Sequence, residues 1–272
     1  MKPLLRDVNW NVREFASNAL VEIIKQKPSL TEEGLQAIKP LLSDKDWNVR
    51  KAAIYALVEI IKQKPILVEE GLQAIKPLLN NKYSDVRKAA SNALVEIIKQ
   101  KPSLAEEKLE AIKPLLSDGN WNVRKAANNA LVGIIKQKPS LAEEGLQAIK
   151  PLLSDEDWNV RKAANNALVE IIKQKPTLAE EGWQAIIPIF IDKDSYAREA
   201  ASDALVEIIM QKPTLAEEGW QAIKPLLSDW IWNFRIAAIY ALVKIIKQKP
   251  SLAEEGWQAI KPLLSDKDWT ER

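Results

Sequence analysis

Residues Lys39 to Ile75, KPLLSDKDWNVRKAAIYALVEIIKQKPILVEEGLQAI, are one turn of a pattern that runs through the whole chain. The dipeptide Lys-Pro recurs at Lys2, Lys39, Lys76, Lys113, Lys150, Lys224 and Lys261, Ile187-Pro188 fills the single gap, and successive starts differ by 37 residues. All 15 prolines fall at two phases of that period, position 2 and position 27. A fixed period of this length identifies a stack of like supersecondary units, each too small to bury its own apolar side and each dependent on its neighbours.

Within the unit, two helices are predicted. From Trp47 to Lys62, Val49, Ala52, Ala53, Ala56, Leu57, Ile60 and Ile61 recur at three- and four-residue spacing, the stripe of an amphipathic helix, here termed helix B. Asp46 stands at its N-cap, and Lys62 and Lys64 precede the Pro65 that stops it. Helix A crosses the unit boundary. Ser29-Leu30-Thr31-Glu32 reads as a capping box, the apolar stripe continues through Leu35, Ala37, Ile38, Leu41 and Leu42, and Pro40 is expected to kink it. Gly34, with its counterparts in other units, points to close packing, although Lys108 occupies the same position in one copy.

Composition narrows the function classes. Lys and Arg total 39 against 37 Asp and Glu, so a net charge of +2 creates no global field for nucleic acid or anionic lipid. The absence of Cys and His removes thiolate nucleophiles, the usual zinc ligands and the usual proton shuttle. Glu69-Glu70 and Glu180-Glu181 recur at helix starts, where carboxylates offset the helix dipole. No phosphate loop, metal cluster or nucleophile–base pair is recognisable, so the reading is no enzyme and no cofactor. The opening residues lack a signal-like apolar run and no stretch is long enough to span a bilayer, which implies a soluble, cytoplasmic protein without membrane attachment.

Asp44, Val49-Arg50 and Ala53, together with the helix A proline, resemble the D-x-x-x-x-V-R-x-x-A core of HEAT repeats. The Arg recurs in all eight copies, Arg13 to Arg272; Asn81 interrupts the Asp, and Ala197 and Phe234 replace the Val. The resemblance covers the chain and implies an all-α, right-handed solenoid of two-helix repeats, one array over residues 1–272 with units starting at 2, 39, 76, 113, 150, 187, 224 and 261. It also implies A helices on the convex wall, B helices on the concave wall, and Asp and Arg linking neighbouring units through Asp44, Arg50, Asp118, Arg124, Asp155 and Arg161. Family members mostly scaffold other proteins or carry cargo. The near-identity of the copies is similar to artificial consensus arrays and to recently duplicated ones.

Positions that vary between copies are where a partner is sought. On helix B these are positions 9, 13, 16 and 17. Positions 16 and 17 carry pairs as different as Ser17-Asn18, Ile54-Tyr55, Asn128-Asn129 and Ile239-Tyr240, and that tolerance is read as exposure to solvent. Trp230, Ile231, Trp232, Phe234, Ile236, Ile239 and Tyr240 form the strongest apolar cluster, the kind of surface that marks a contact site, with intramolecular packing as the alternative. Position 9 supplies Trp10, Trp47, Trp121, Trp158, Trp232 and Trp269, interrupted by Ser84 and Ser195, beside which Tyr83 and Tyr196 stand; the row suits either a packing staple or stacking platforms. Lys51, Lys88, Lys125 and Lys162 form a basic row, either a solvated face or, with the Trp residues, a single-strand nucleic-acid groove, the less favoured partner. The expected function is a binding scaffold for protein or peptide on the concave B face. The alternative is a self-assembling array, joined through uncapped ends or the aromatic patch into a homo-oligomer.

Overall fold

The computed structural model describes residues 3–191, 194–230 and 232–265. It divides into two compact units, residues 1–141 and 142–272. Trp269, Arg272 and Ile231 lie outside the described residues.

The first unit holds α1 (Trp10–Gln26), α2 (Thr31–Ile38), α3 (Trp47–Gln63), α4 (Val68–Ile75), α5 (Ser84–Gln100), α6 (Ala105–Ile112) and α7 (Trp121–Gln137). The second holds α8 (Ala142–Ile149), α9 (Trp158–Gln174), α10 (Ala179–Ile186), α11 (Ser195–Gln211), α12 (Ala216–Ile223), α13 (Trp232–Gln248) and α14 (Ala253–Ser265). Odd-numbered helices up to α13 are the predicted B helices, each 17 residues long. In the first unit α1, α3, α5 and α7 pack side by side in chain order, and α2, α4 and α6 lie against α3, α5 and α7. The second unit repeats this with α9, α11 and α13 backed by α8, α10 and α12.

The stripe predicted for helix B is the core: Val49, Ala53, Ala56, Leu57, Ile60 and Ile61 are all fully buried in α3. Burying each Leu or Ile contributes about 1.5–3 kcal/mol, which the isolated unit could not collect without its neighbours. Asp46 caps α3 by accepting from the Asn48 amide at 2.8 Å, as Asn9, Asn120, Asp157 and Asp194 do for their helices. Tyr83 cannot, and α5 starts without a side-chain cap.

Helix A departs from expectation at both ends. Ser29 makes no capping bond; Pro28–Leu30 forms a single 3-10 turn in which the Leu30 amide donates to the Lys27 carbonyl at 3.0 Å, and α2 starts only at Thr31. The Thr31 hydroxyl bonds back to the Pro28 carbonyl instead of the next turn. A proline-initiated turn thus takes the place of a capping box. At the other end Pro40 produces no kink within an α-helix: α2 stops at Ile38 and Lys39–Ser43 continues as 3-10 helix, burying Leu41 and Leu42. Among the described helices, α14 alone keeps its proline, Pro262, inside a continuous helix. A Cβ on Gly34 would overlap the end of the Ile24 side chain, as expected of close packing. Lys108 is tolerated there because its ammonium reaches out to Glu107 at 2.6 Å while its stem is buried.

Candidate partner-binding face

Packing of B helix on B helix decides which variable positions meet solvent. Position 17 does: Asn18, Tyr55, Asn92, Asn129, Asn166, Asp203 and Tyr240 are all exposed. Position 16 does not, and the expectation that it is solvent-facing is wrong. Ile54 is 0% exposed, and Ser17, Ser91, Asn128, Asn165 and Ser202 are buried as well. The polar residues are accommodated by bonding back one helical turn: Ser17 to the Arg13 carbonyl at 2.9 Å, Ser91 to Arg87 at 2.9 Å, Asn165 to Arg161 at 3.0 Å and Ser202 to Arg198 at 3.1 Å. A group that satisfies its donor inside its own helix can alternate with Ile between two packed helices. Ile54 therefore leaves the candidate face.

The aromatic cluster on α13 divides in the same way. Phe234 is buried, with the Arg198 guanidinium 3.9 Å above its ring, and Ile239 is half-buried. Trp232, Ile236 and Tyr240, successive at four-residue spacing, are 61%, 44% and 69% exposed, and Trp230 is more exposed still. They form one apolar stripe along the outward side of the helix. Val243, exposed on the same helix, extends the surface; the sequence concealed it because the residue is Val in every copy and its cover, not its identity, changes.

The position 9 row is partly sheltered. Trp47 and Trp121 are half-buried, and Trp10 and Trp158 lie near the border of exposure. Lys51 stands 5.7 Å from the Trp47 ring centre, and Trp158 packs on Tyr196 at 5.0 Å with planes tilted 31°. Tyr196 thus puts a ring beside Trp158 where Ser195 interrupts the row. At the other interruption Tyr83 takes the Arg50 guanidinium and the Lys82 ammonium on its ring, each 5.0 Å from the centre. Lys51, Lys88 and Lys125 fall on the consecutively packed α3, α5 and α7 of the first unit, with Lys162 on α9 of the second. Among the described residues no carboxylate lies within ion-pair distance of these four lysines.

The Asp and Arg positions join one repeat to the next. Arg13 holds Asp44, 31 residues on, through two hydrogen bonds of 2.7 and 2.8 Å, and also donates to the carbonyls of Asp7 and Val8. Arg87 and Asp118 repeat the fork at 2.6 and 2.7 Å. Burial pushes the Asp44 carboxyl up, but the bonds from Arg13 and the Asp46 amide outweigh it and leave the group below its ordinary value; Asp118 behaves alike with Arg87 and the Asn120 amide. Arg50 and Arg124 donate to the carbonyls of Asp44 and Asp118 in their own repeats. Asp155 accepts from the Asp157 amide, and Arg161 donates to the Asp155 and Glu156 carbonyls and reaches Asp194 at 3.2 Å. A second set of links was not anticipated: Lys64 to Glu32, Lys101 to Glu69 and Lys138 to Glu106 in the first unit, and Lys175 to Glu143, Lys212 to Glu180 and Lys249 to Glu217 in the second. In these six pairs the Lys that ends a helix B reaches the Glu that opens the preceding helix A. Each such exposed pair contributes about 0–1 kcal/mol.

Among the described residues no three His, Cys, Asp or Glu side chains are placed to hold a metal ion, and no helix is long and apolar enough to cross a membrane. Tandem helix pairs, B packed on B and A packed on the following B, define an α-solenoid protein. HEAT repeats match residues 1–95 and 109–206, and the chain belongs to the HEAT-repeat family. No curated protein matches the sequence. Among solved structures, an engineered protein is 22% identical, with a TM-score of 0.55 over 79% of this chain and 97% of its own. Kap95p, solved with RanGDP, is 16% identical with a TM-score of 0.68 over 98% of this chain, which spans 40% of the Kap95p chain. The karyopherin Kap121p, bound to the extreme C-terminus of the phosphatase Cdc14p, is 15% identical with a TM-score of 0.67, and the match spans 96% of this chain and 30% of Kap121p.

Proposed function

We propose that this chain is a non-enzymatic scaffold that binds a protein or peptide on the outward face of its B helices, the face the family resemblance makes concave, with its main anchor on α13. The observation that carries this reading is the exposed stripe of Trp232, Ile236 and Tyr240 beside Trp230. Aromatic and large aliphatic side chains held on a rigid helix supply most of the energy in typical interfaces. Family membership and the protein-bound karyopherins Kap95p and Kap121p support the general class. Tyr55, Trp47, Trp121 and Trp158 are secondary contacts in this reading, and Lys51, Lys88, Lys125 and Lys162 its polar rim.

The test is capture of partners by the full chain and by a variant carrying Ile236→Lys and Tyr240→Ala, with circular dichroism as a control for folding. Loss of a specific partner is expected; an unchanged set of partners would remove α13 as the anchor. A nucleic-acid groove would instead show affinity that falls steeply with salt and with Lys125→Glu. A second reading, self-association, is favoured by Trp257 of α14, which is half exposed although Trp183 and Trp220 at the same repeat position are buried. Sedimentation showing a monomer at all concentrations would dispose of it.

A further inference from the structure

The apolar stripe of α13 lies against a helix with an unusual charge pattern. On α11 the same outward positions carry Glu199, Asp203 and Glu207, four residues apart and therefore on one face. No other B helix has a carboxylate at both position 13 and position 17: the counterparts of Asp203 are Asn or Tyr, and those of Glu199 are Lys in four copies, Ile236 in α13 and Glu14 in α1. The Lys that closes this face elsewhere, such as Lys99 and Lys173, is Met210 in α11, and it is exposed. Glu199 and Asp203 are exposed, and among the described residues neither has a cation within ion-pair distance; Glu207 reaches only Lys173, at 3.4 Å. Asp203 opens to solvent on one side only, and desolvation by the groups packed around it pushes its carboxyl above the ordinary value, while Lys244 and Lys162 draw it the other way.

Like charges at four-residue spacing cost a helix a few tenths of a kcal/mol, and α11 has no lysine in its last turn to offset them. Since α11 packs directly on α13, helix axes so packed lie about 8–10 Å apart, within the width of one peptide. The result is an apolar stripe and an acidic stripe side by side, in which Lys173 pairs with Glu207 while Lys244 and Lys162 act on Asp203 without pairing with it. Resting on the reading of α13 as the anchor, we infer that its occupant is a short amphipathic segment with apolar anchors on one edge and Lys or Arg on the other, the anchors lying on Trp232, Ile236 and Tyr240 and the cations facing Glu199 and Asp203. An acidic segment would meet the same carboxylates with no cation from α11 to receive it, and a nucleic-acid backbone would be repelled for the same reason.

Two labelled amphipathic peptides with an identical Leu/Trp edge, one with a Lys edge and one with a Glu edge, distinguish the cases by fluorescence anisotropy against the full chain. The Lys peptide should bind at least about tenfold more tightly, and the preference should shrink as salt rises. Glu199→Lys with Asp203→Lys should abolish or reverse the preference, while Ile236→Lys with Tyr240→Ala should weaken both peptides. Both pairs are surface changes, and an unaltered circular dichroism melt shows that the fold survives. Equal affinity for the two peptides, a preference for Glu, or indifference to the α11 pair overturns the assignment of a basic occupant and leaves the apolar anchor standing. Binding of neither peptide, or binding indifferent to the α13 pair, removes the anchor and this inference with it.

Discussion

The dipeptide Ile-Tyr occurs twice at the same two positions of helix B, as Ile54-Tyr55 in α3 and Ile239-Tyr240 in α13, and the two copies have different fates. Ile54 is wholly buried, whereas Ile239 is only half-buried; both tyrosines are exposed, Tyr240 the more so. Next to α3 lies α5, which covers position 16, and among the described residues no B helix follows α13. The same isoleucine at the same helix position is thus core in one repeat and half-buried in another, and the packing around it decides. The lesson for the candidate face is that divergence between copies marks two things at once, positions free of contact and positions in contact that two chemistries can fill.

The sharpest break of this comparison is a charge at position 16. Ile54→Asp places a carboxylate where no solvent reaches, and the loss of stability is expected to be about 4 kcal/mol or more, read as a lower urea midpoint. Ile239→Asp should cost less than about 1 kcal/mol, because its side chain can turn to water. Equal effects would mean that the two environments are alike in solution and that α13 is covered.

The next largest effect concerns the links between repeats. Asp44→Asn leaves Arg13 with its guanidinium in a site that exposes only 6% of the side chain, and the expected cost is about 3 kcal/mol. The same pair sets a pH dependence. Because the Asp44 and Asp118 carboxyls lie below their ordinary 3.8 when folded, the stability they contribute is fully present above that value. It is lost as pH falls through 3.8 and then through the lower folded value. Denaturation followed against pH should show this acid-side loss in the wild type and a flatter curve in Asp44→Asn.

How far the residues alone reveal this molecule follows from the same contrast. The 37-residue period, the extent of each helix B and the Asp46 cap are local properties, written in proline phase, apolar spacing and one side chain, and the structure has them as read. The 3-10 segments around helix A are less legible, because Pro28 and Pro40 announce a departure from α-helix without saying which form it takes. Burial at position 16 was illegible: Ser, Asn and Ile look like a solvent series until the hydroxyl and amide are seen to bond within their own helix. Of the aromatic cluster, Trp232, Ile236 and Tyr240 could be placed from helical spacing, and so could Phe234, which stands at the Val49 position of the buried stripe; what spacing does not announce is the Arg198 guanidinium over its ring.

The smallest predicted effect tests one repeat junction against another. Between α1 and α3 the guanidinium of Arg13 grips Asp44, but between α3 and α5 the equivalent residue is Asn81, and Arg50 instead lies against the Tyr83 ring with its buried Nε lacking a hydrogen-bond partner. Asn81 already accepts from the Tyr83 amide at 3.1 Å, just as Asp44 accepts from Asp46 at 2.8 Å, so the backbone there is shaped for a carboxylate. Asn81→Asp should therefore add a charge-assisted bond to Arg50 and raise stability by about 1 kcal/mol, part of the gain being offset by desolvation of the new charge. Tyr83→Asp supplies the missing cap of α5, worth about 1 kcal/mol, and removes a cation–π contact of about the same size, so its net effect should be near zero. Thermal melts of the two variants and their combination form a cycle. If Asn81→Asp gains nothing alone but gains once Tyr83 is replaced, the ring already does for Arg50 what a carboxylate does for Arg13, and the two junctions are equivalent in energy though not in chemistry.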